Sequence, residues 1–229
     1  LAEAGAKVVV AARREAEGHA VVEELTALGA EAAFVAVDVT VEEQLVAVVA
    51  ATVARFGRLD CAVNSAGINE DYALITDADA AMFDRMMAVN VRGTLLGMKH
   101  QIRQMLAQGS GGSIVNMSSI LGHAASGTGA IYVATKHAVL GRTRAAALGH
   151  AKQGIRVNCV APTAISGTPI VDYTMANFPH LLQPYIDDIP MGRTGRAEEV
   201  GRAVAFLCSD AASFINGHSL AIEGGQLAR

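Results

Sequence analysis

The 229-residue chain has little charge, few cysteines and prolines, and no long apolar run. Charged residues make up 17% against 52% hydrophobic, a balance that excludes a disordered chain and implies a large buried core. The net charge is -4 and the lysines and arginines are dispersed, so there is no electrostatic footprint for DNA or RNA. Nothing approaches about 20 consecutive apolar residues; the longest uncharged stretches, such as Val46 to Ala54, are helical and alanine-rich, which argues against a membrane span. Cys61, Cys159 and Cys208 are odd in number, far apart and set in apolar segments, which fits reduced thiols better than disulfides or a metal site. The histidines, His19, His100, His123, His137, His150, His180 and His218, show no HExxH or clustered spacing, so no metal is expected. No linker, repeat or low-complexity block divides the chain, which predicts one domain over residues 1–229. With no signal or transit sequence, the default expectation is a cytoplasmic protein.

What is present is an alternation. Short runs rich in β-branched residues recur at Val8 to Val10, Phe34 to Val37, Leu59 to Val63, Ser113 to Met117, Arg156 to Val160 and Ser219 to Ile222. Helical patterns lie between them, at Glu15 to Leu28, Val41 to Phe56, Asp79 to Gln108, Ala130 to Lys152 and Ala197 to Cys208. The strand runs are apolar almost throughout, which marks strands buried on both faces of a parallel sheet. The fold class is therefore α/β, a Rossmann-like doubly wound parallel sheet in three layers. Thr40, with Glu43 three residues on, reads as a helix N-cap. Pro162 to Arg196 holds every proline and reads as a long loop, a candidate lid.

Chemistry concentrates in AIYVATKHAVL. Tyr132 and Lys136 are four apart and share a helix face, which holds a phenol beside an ammonium. An unperturbed tyrosine, with a pKa near 10, is a poor acid–base catalyst at neutral pH, and a nearby cation favours its phenolate. Thirteen residues earlier, Ser119 ends a strand-like run and can bring a hydroxyl near the helix start to polarise a carbonyl oxygen, with Ser118 as its rival. The small-residue turn NSAG, Asn64 to Gly67, follows a strand where a nucleotide can lie close to the backbone. Asn90 is a polar residue inside an apolar helical stretch, able to bend it or hold a water.

Together these segments resemble the short-chain dehydrogenase/reductase family over essentially the whole chain. The ordered matches are DVT at Asp38 to Thr40, NSAG, NVRGT at Asn90 to Thr94, SIVNMSS, YVATK at Tyr132 to Lys136, RVNCVAP ending at Pro162, PMGRTGRAEEVGRAVAFLCSD, and EGG. The resemblance implies an oxidoreductase that interconverts a secondary alcohol and a ketone by hydride transfer with NADP or NAD, its substrate a small molecule. It implies Tyr132 as general acid or base, Lys136 as the residue that lowers the tyrosine's pKa and binds the nicotinamide ribose, Ser119 as the substrate-orienting hydroxyl, and Asn90 as the holder of a water in the proton relay. It places Asp38 and Val39 at the adenine, Asn64, Ala66 and Gly67 along the adenosine ribose, and Pro162 beside the nicotinamide, with Thr168 a displaced match for a cofactor-contacting threonine. His123 and Ser126 to Ala130 fall where the family lines its substrate pocket. The resemblance also implies a homo-oligomer, tetramer or dimer. A binding member of the fold that has lost catalysis is the competing reading, and the presence of Ser119, Tyr132, Lys136 and Asn90 favours the enzyme.

The opening stretch, LAEAGAKVVVAARR, reads as a helix end stopped at Gly5 and then a strand. In the family, a central first strand and a Gly-rich pyrophosphate turn precede this point, and no such run occurs near the start. Their absence would leave two strands with unpaired edges across a gap of about 10 Å, and an unstable or inactive chain. After the strand, Ala12 stands where NAD-using members often carry an acid, and Arg13 and Arg14 follow. Guanidinium groups there favour a 2′-phosphate, and hence NADP.

Overall fold

In the computed structural model, which describes residues 1–228, six segments extend as strands and every pairing is parallel. They are β1 (Val8–Ala12), β2 (Ala32–Ala36), β3 (Cys61–Asn64), β4 (Gly112–Met117), β5 (Ile155–Pro162) and β6 (Ser219–Ile222). Each overlaps a run expected from the sequence. β4 and β5 lie inside their sheet and are buried almost end to end, which is why their sequences do not alternate.

The strands form two hydrogen-bonded pieces, β1 with β2 and then β3-β4-β5-β6 in that order. Between the pieces runs a cleft of about 550 Å³. Val8, Val9 and Ala11 of β1 line one side, Cys61, Ala62 and Val63 of β3 the other. Among the described residues, no strand pairs with the facing edges of β1 and β3.

Among the described residues, eight α-helices connect and cover the strands: α1 (Glu15–Ala27), α2 (Glu42–Phe56), α3 (Ala80–Met86), α4 (Thr94–Gln108), α5 (Ala130–His150), α6 (Pro169–Asn177), α7 (Pro179–Asp187) and α8 (Ala197–Cys208). Alternation across the larger sheet builds its two cores. Ile114 and Val157 pack with Met98, Ile102 and Met105 of α4 and Ala147 of α5; their sheet neighbours Val115 and Val160 pack against Val200, Val204 and Leu207 of α8. This is the expected three-layer arrangement. Each buried Val or Leu contributes about 1.5–3 kcal/mol, so the two cores carry most of the driving force.

Four local expectations need correction. The segment from Asp79 to Gln108 is not one α-helix, because a π-helical turn, Met87–Gly93, separates α3 from α4. Thr40 does not cap α2: its N–H and hydroxyl both donate to Asp38 Oδ1, at 2.8 and 2.7 Å, so the helix starts after Val41. The proline-rich segment is not a bare loop, since Pro169 and Pro179 open α6 and α7 at positions where a missing N–H costs nothing. The opening helix turn is a short 3₁₀ turn, Ala2–Ala4, closed by Gly5 at φ 84°. All three cysteines are free thiols, and no described helix is long and apolar enough to cross a membrane.

Candidate active site

The C-terminal ends of β3, β4 and β5 point to one end of the sheet, and the sequence motifs converge there. Ser118 and Ser119 leave β4, and Tyr132 and Lys136 lie in the first two turns of α5, which packs on β5. All four are buried. The two serines point differently. Ser118 Oγ donates to the Lys136 carbonyl at 3.2 Å, whereas the Ser119 hydroxyl oxygen accepts from the Leu121 N–H at 3.2 Å, and Ser119 lines a cavity together with Tyr132. Gly122 allows this approach, because a Cβ there would lie 2.6 Å from Ser118 Oγ and 2.9 Å from the Lys136 carbonyl oxygen.

Burial dominates the electrostatics. Desolvation pushes Tyr132 well above its ordinary value; the nearby Tyr185 adds to this, and the Ser119 hydroxyl opposes it. Lys136 is brought down to about 8, first by desolvation and then by the Arg142 guanidinium. The expectation that Lys136 lowers the tyrosine therefore does not describe the balance found. The ammonium lies 5.3 Å from the centre of the Tyr132 ring and donates to the Met117 carbonyl at 3.1 Å, while the phenol is enclosed in apolar surroundings.

Asn90 sits in the π-helical turn and is almost fully buried. Its side-chain oxygen accepts from the Ile68 N–H, and its amide donates to the Ile68 carbonyl and the Thr135 hydroxyl, so it ties the loop after β3 to α5. Its main-chain carbonyl accepts from Arg142 Nη2 at 2.7 Å and Thr94 Oγ1 at 3.2 Å. Arg142, which also donates to the Val91 carbonyl, was missed from the sequence. The readable signal was a cation at helical spacing from Thr135 and Val139, on a face that is otherwise buried.

Other expected residues divide. Asp38 is half-buried, its carboxyl held below the usual range by the two Thr40 hydrogen bonds and, less strongly, by Arg13. Arg13 and Arg14 are exposed beside it at the end of β1, Arg14 paired with Glu17 at 3.2 Å. Val39 packs against Gly93, where a Cβ would come within 2.8 Å of its methyl. Ala66 is exposed and Gly67 half-buried in the turn after β3. The Asn64 side chain is not free to face a nucleotide: it exchanges hydrogen bonds with Gln101 and donates to Asn116. Pro162 ends β5, which runs two residues past the strand end expected at Val160. Thr168 spends its hydroxyl on the Ile165 carbonyl at 2.7 Å, because it begins α6. His123 is a correction: its ring bonds Ser219 Oγ at 2.7 Å and does not line the cavity, although Ser126 to Gly129 do.

That cavity, about 440 Å³, is walled by Ser119 and Tyr132 on one side and by α6 and α7 on the other. Its further side chains, Tyr72, Tyr185 and the buried Asp71, had no recognised signal in the sequence. Asp71 Oδ2 accepts from the Ile131 N–H at 2.8 Å and so fixes the start of the helix that carries Tyr132. Among the described residues, no group of histidines, cysteines and carboxylates could hold a metal.

The residues present fit the nicotinamide end of a dinucleotide. Lys136 is a buried ammonium with a single protein hydrogen bond and two donors to spare, and it faces Gly67, where a Cβ would lie 3.6 Å from its Nζ.

Comparison with known proteins agrees. Residues 1–226 match a family model described as Enoyl-(Acyl carrier protein) reductase. The chain is 42% identical over 224 residues to an A-factor type gamma-butyrolactone 1'-reductase (1S-forming) of Streptomyces virginiae, covering 98% of this chain and 87% of the relative. It is 42% identical over 226 residues to a 2,5-dichloro-2,5-cyclohexadiene-1,4-diol dehydrogenase of Sphingobium indicum, with 98% and 88% covered. The solved structure of levodione reductase superposes with a TM-score of 0.91 at 37% identity, covering 99% of this chain and 90% of that one. Structures of ElxO with NADP bound and of NAD⁺-bound xylitol dehydrogenase superpose at 0.90 and 0.92, with 32% and 30% identity; they cover 100% and 98% of this chain and 91% and 90% of theirs.

Proposed function

The chain belongs to the short-chain dehydrogenase/reductase family, oxidoreductases of CH–OH groups that use a nicotinamide cofactor, and we propose that it interconverts a secondary alcohol and a ketone with Tyr132 as general acid and base. The observation that carries this reading is the convergence of three buried residues: Ser119 and Tyr132 line one cavity, and the Lys136 ammonium lies 5.3 Å from the centre of the Tyr132 ring. The bound cofactor supplies or takes the hydride.

The protein's part is position and proton traffic. Ser119 donates toward the substrate oxygen and holds it against the phenol. Tyr132, kept protonated by burial, gives its proton to that oxygen in reduction and receives one in oxidation. Lys136 would donate to the ribose hydroxyls of a bound cofactor, and it keeps a positive charge beside the phenol below about pH 8. Asn90 acts as a positioning residue that clasps Ile68 and Thr135 around the site.

On this reading Arg13 and Arg14, with Asp38 and Val39, flank the adenosine end, and the exposed guanidinium groups favour NADP over NAD. Gly67, Ala66 and Asn64 contribute backbone to the same edge, and Pro162 and Thr168 shape the opposite one. A homo-oligomer is supported by the exposed Leu95, Leu106 and Leu148 on α4 and α5, and sedimentation velocity tests it. The test of the core reading is Tyr132→Phe, which should abolish cofactor-coupled turnover with the fold retained; retained turnover overturns it.

A further inference from the structure

Arg142 is a cation without an acid. It lies half-buried on α5, where burial lowers it to about 10 and no carboxylate opposes that shift. Its Nε is buried with no partner, and its charge also bears down on Lys136. Ion pairing therefore does not explain a guanidinium at this place, and an unpaired charge taken out of water is costly to keep.

What the guanidinium does engage is the π-helical turn. Nη2 donates to the Asn90 carbonyl at 2.7 Å and Nη1 donates to the Val91 carbonyl, so one planar fork spans two successive carbonyls. A π-helical turn shifts main-chain bonding out of the α-helical period, and carbonyls left over by the shift need donors from elsewhere. Thr94 Oγ1 adds a longer bond to the Asn90 carbonyl, at 3.2 Å.

From this turn the path to the site is short. Asn90 Oδ1 accepts from the Ile68 N–H at 2.8 Å, and its amide nitrogen donates to the Ile68 carbonyl at 2.8 Å and to Thr135 Oγ1 at 3.2 Å. Thr135 in turn donates to the Tyr132 carbonyl at 2.8 Å. Gly67, next to Ile68, faces both sides of this clasp: a Cβ there would lie 3.5 Å from Asn90 Oδ1 and 3.6 Å from Lys136 Nζ.

We propose that Arg142 is a positioning residue, whose fork on the Asn90 and Val91 carbonyls holds the π-helical turn in the shape that lets Asn90 pin Ile68 on the cofactor side and Thr135 beside Tyr132. Its bearing on the reaction rests on the reading of Tyr132 and Lys136 given above; the clasp itself does not. None of Arg142, Asn90, Ile68 and Thr135 lines the cavity beside Tyr132, so loss of the fork is felt on the cofactor side first.

Arg142→Met keeps an unbranched stem and removes the fork. Amide hydrogen exchange, followed by NMR on the 229-residue chain without cofactor, compares Ile68 with Val115, which is fully buried in β4. We expect Ile68 to exchange about tenfold faster relative to Val115 in Arg142→Met, the worth of about one hydrogen bond. Arg142→Lys, which returns a charged donor for one carbonyl, gives the same comparison at about threefold should Arg142→Met not fold. A ratio that stays at the wild-type value, whether both amides hold or both loosen together, shows a residue that serves only overall stability and overturns the proposal. In steady-state turnover, KM for NADPH should rise about tenfold in Arg142→Met while KM for the ketone stays within about twofold; a rise confined to the ketone, or shared equally, also overturns it. A wild type without turnover counts against the catalytic reading and leaves the exchange comparison to decide on Arg142.

Discussion

Replacing Lys136 with methionine should make the protein more stable at neutral pH, and the gain should shrink as pH rises. Lys136 titrates at about 8 in the folded chain against an ordinary 10.5, with burial as the main cause. Between those values the unfolded chain holds a proton that the folded chain has released, so folding stability rises with pH through this window. At pH 7 the folded state keeps the ammonium charged against its desolvation. The gap from 8 to 10.5 corresponds to a penalty of about 3 kcal/mol at about 1.4 kcal/mol per tenfold. Methionine removes the penalty but leaves the Met117 carbonyl without its 3.1 Å donor, which costs about 1 kcal/mol at every pH. The net gain is about 2 kcal/mol at pH 7, falling to roughly zero near pH 9.5 as the wild-type lysine gives up its charge in the folded state. Urea denaturation of both proteins from pH 6.5 to 9.5 measures the difference directly, and titrations common to both cancel. A difference that is constant with pH, or a wild type more stable than Lys136→Met at pH 7, refutes the reasoning.

Other substitutions probe single links. Tyr132→Phe removes only the phenolic oxygen, and the loss of turnover it causes, about a thousandfold or more, should come with unchanged far-UV circular dichroism. Arg13→Ala should weaken NADPH by roughly ten- to a hundredfold in a fluorescence titration while leaving NADH within about twofold. Gly122→Ala forces a Cβ to within 2.6 Å of Ser118 Oγ and 2.9 Å of the Lys136 carbonyl, and should cost about 1–3 kcal/mol, seen as a lowered Tm.

The layered fold was readable because buried parallel strands and the helices between them repeat a simple chemical contrast, and Ile114, Val115, Val157 and Val160 carry it without interruption. The misreadings come from competition that local pattern does not reveal. Asp38 takes the Thr40 hydroxyl that would have capped α2. The π-helical turn at Asn90 inserts one turn of different period into a segment whose apolar spacing otherwise looks α-helical. Pro169 and Pro179 were read as loop residues when they also serve as first helical positions.

Within the site, Tyr132, Lys136 and Ser119 were legible because their spacing on one helix and one strand end brings them together. Residues whose role depends on a distant partner were not. His123 turns to Ser219, 96 positions away, and Tyr72 meets Thr174 across 102. The pKa balance also depends on such distant packing. Burial acts on both members of the pair in opposite senses, raising the phenol and lowering the ammonium. Both are driven toward their uncharged forms, yet Lys136, at about 8, still carries its proton at neutral pH and Tyr132 does so far more firmly. On the proposed reading the resting site is loaded as an acid. Reduction of a ketone can then draw its proton at once from Tyr132, whereas oxidation of an alcohol must first take that proton away against the burial that holds it.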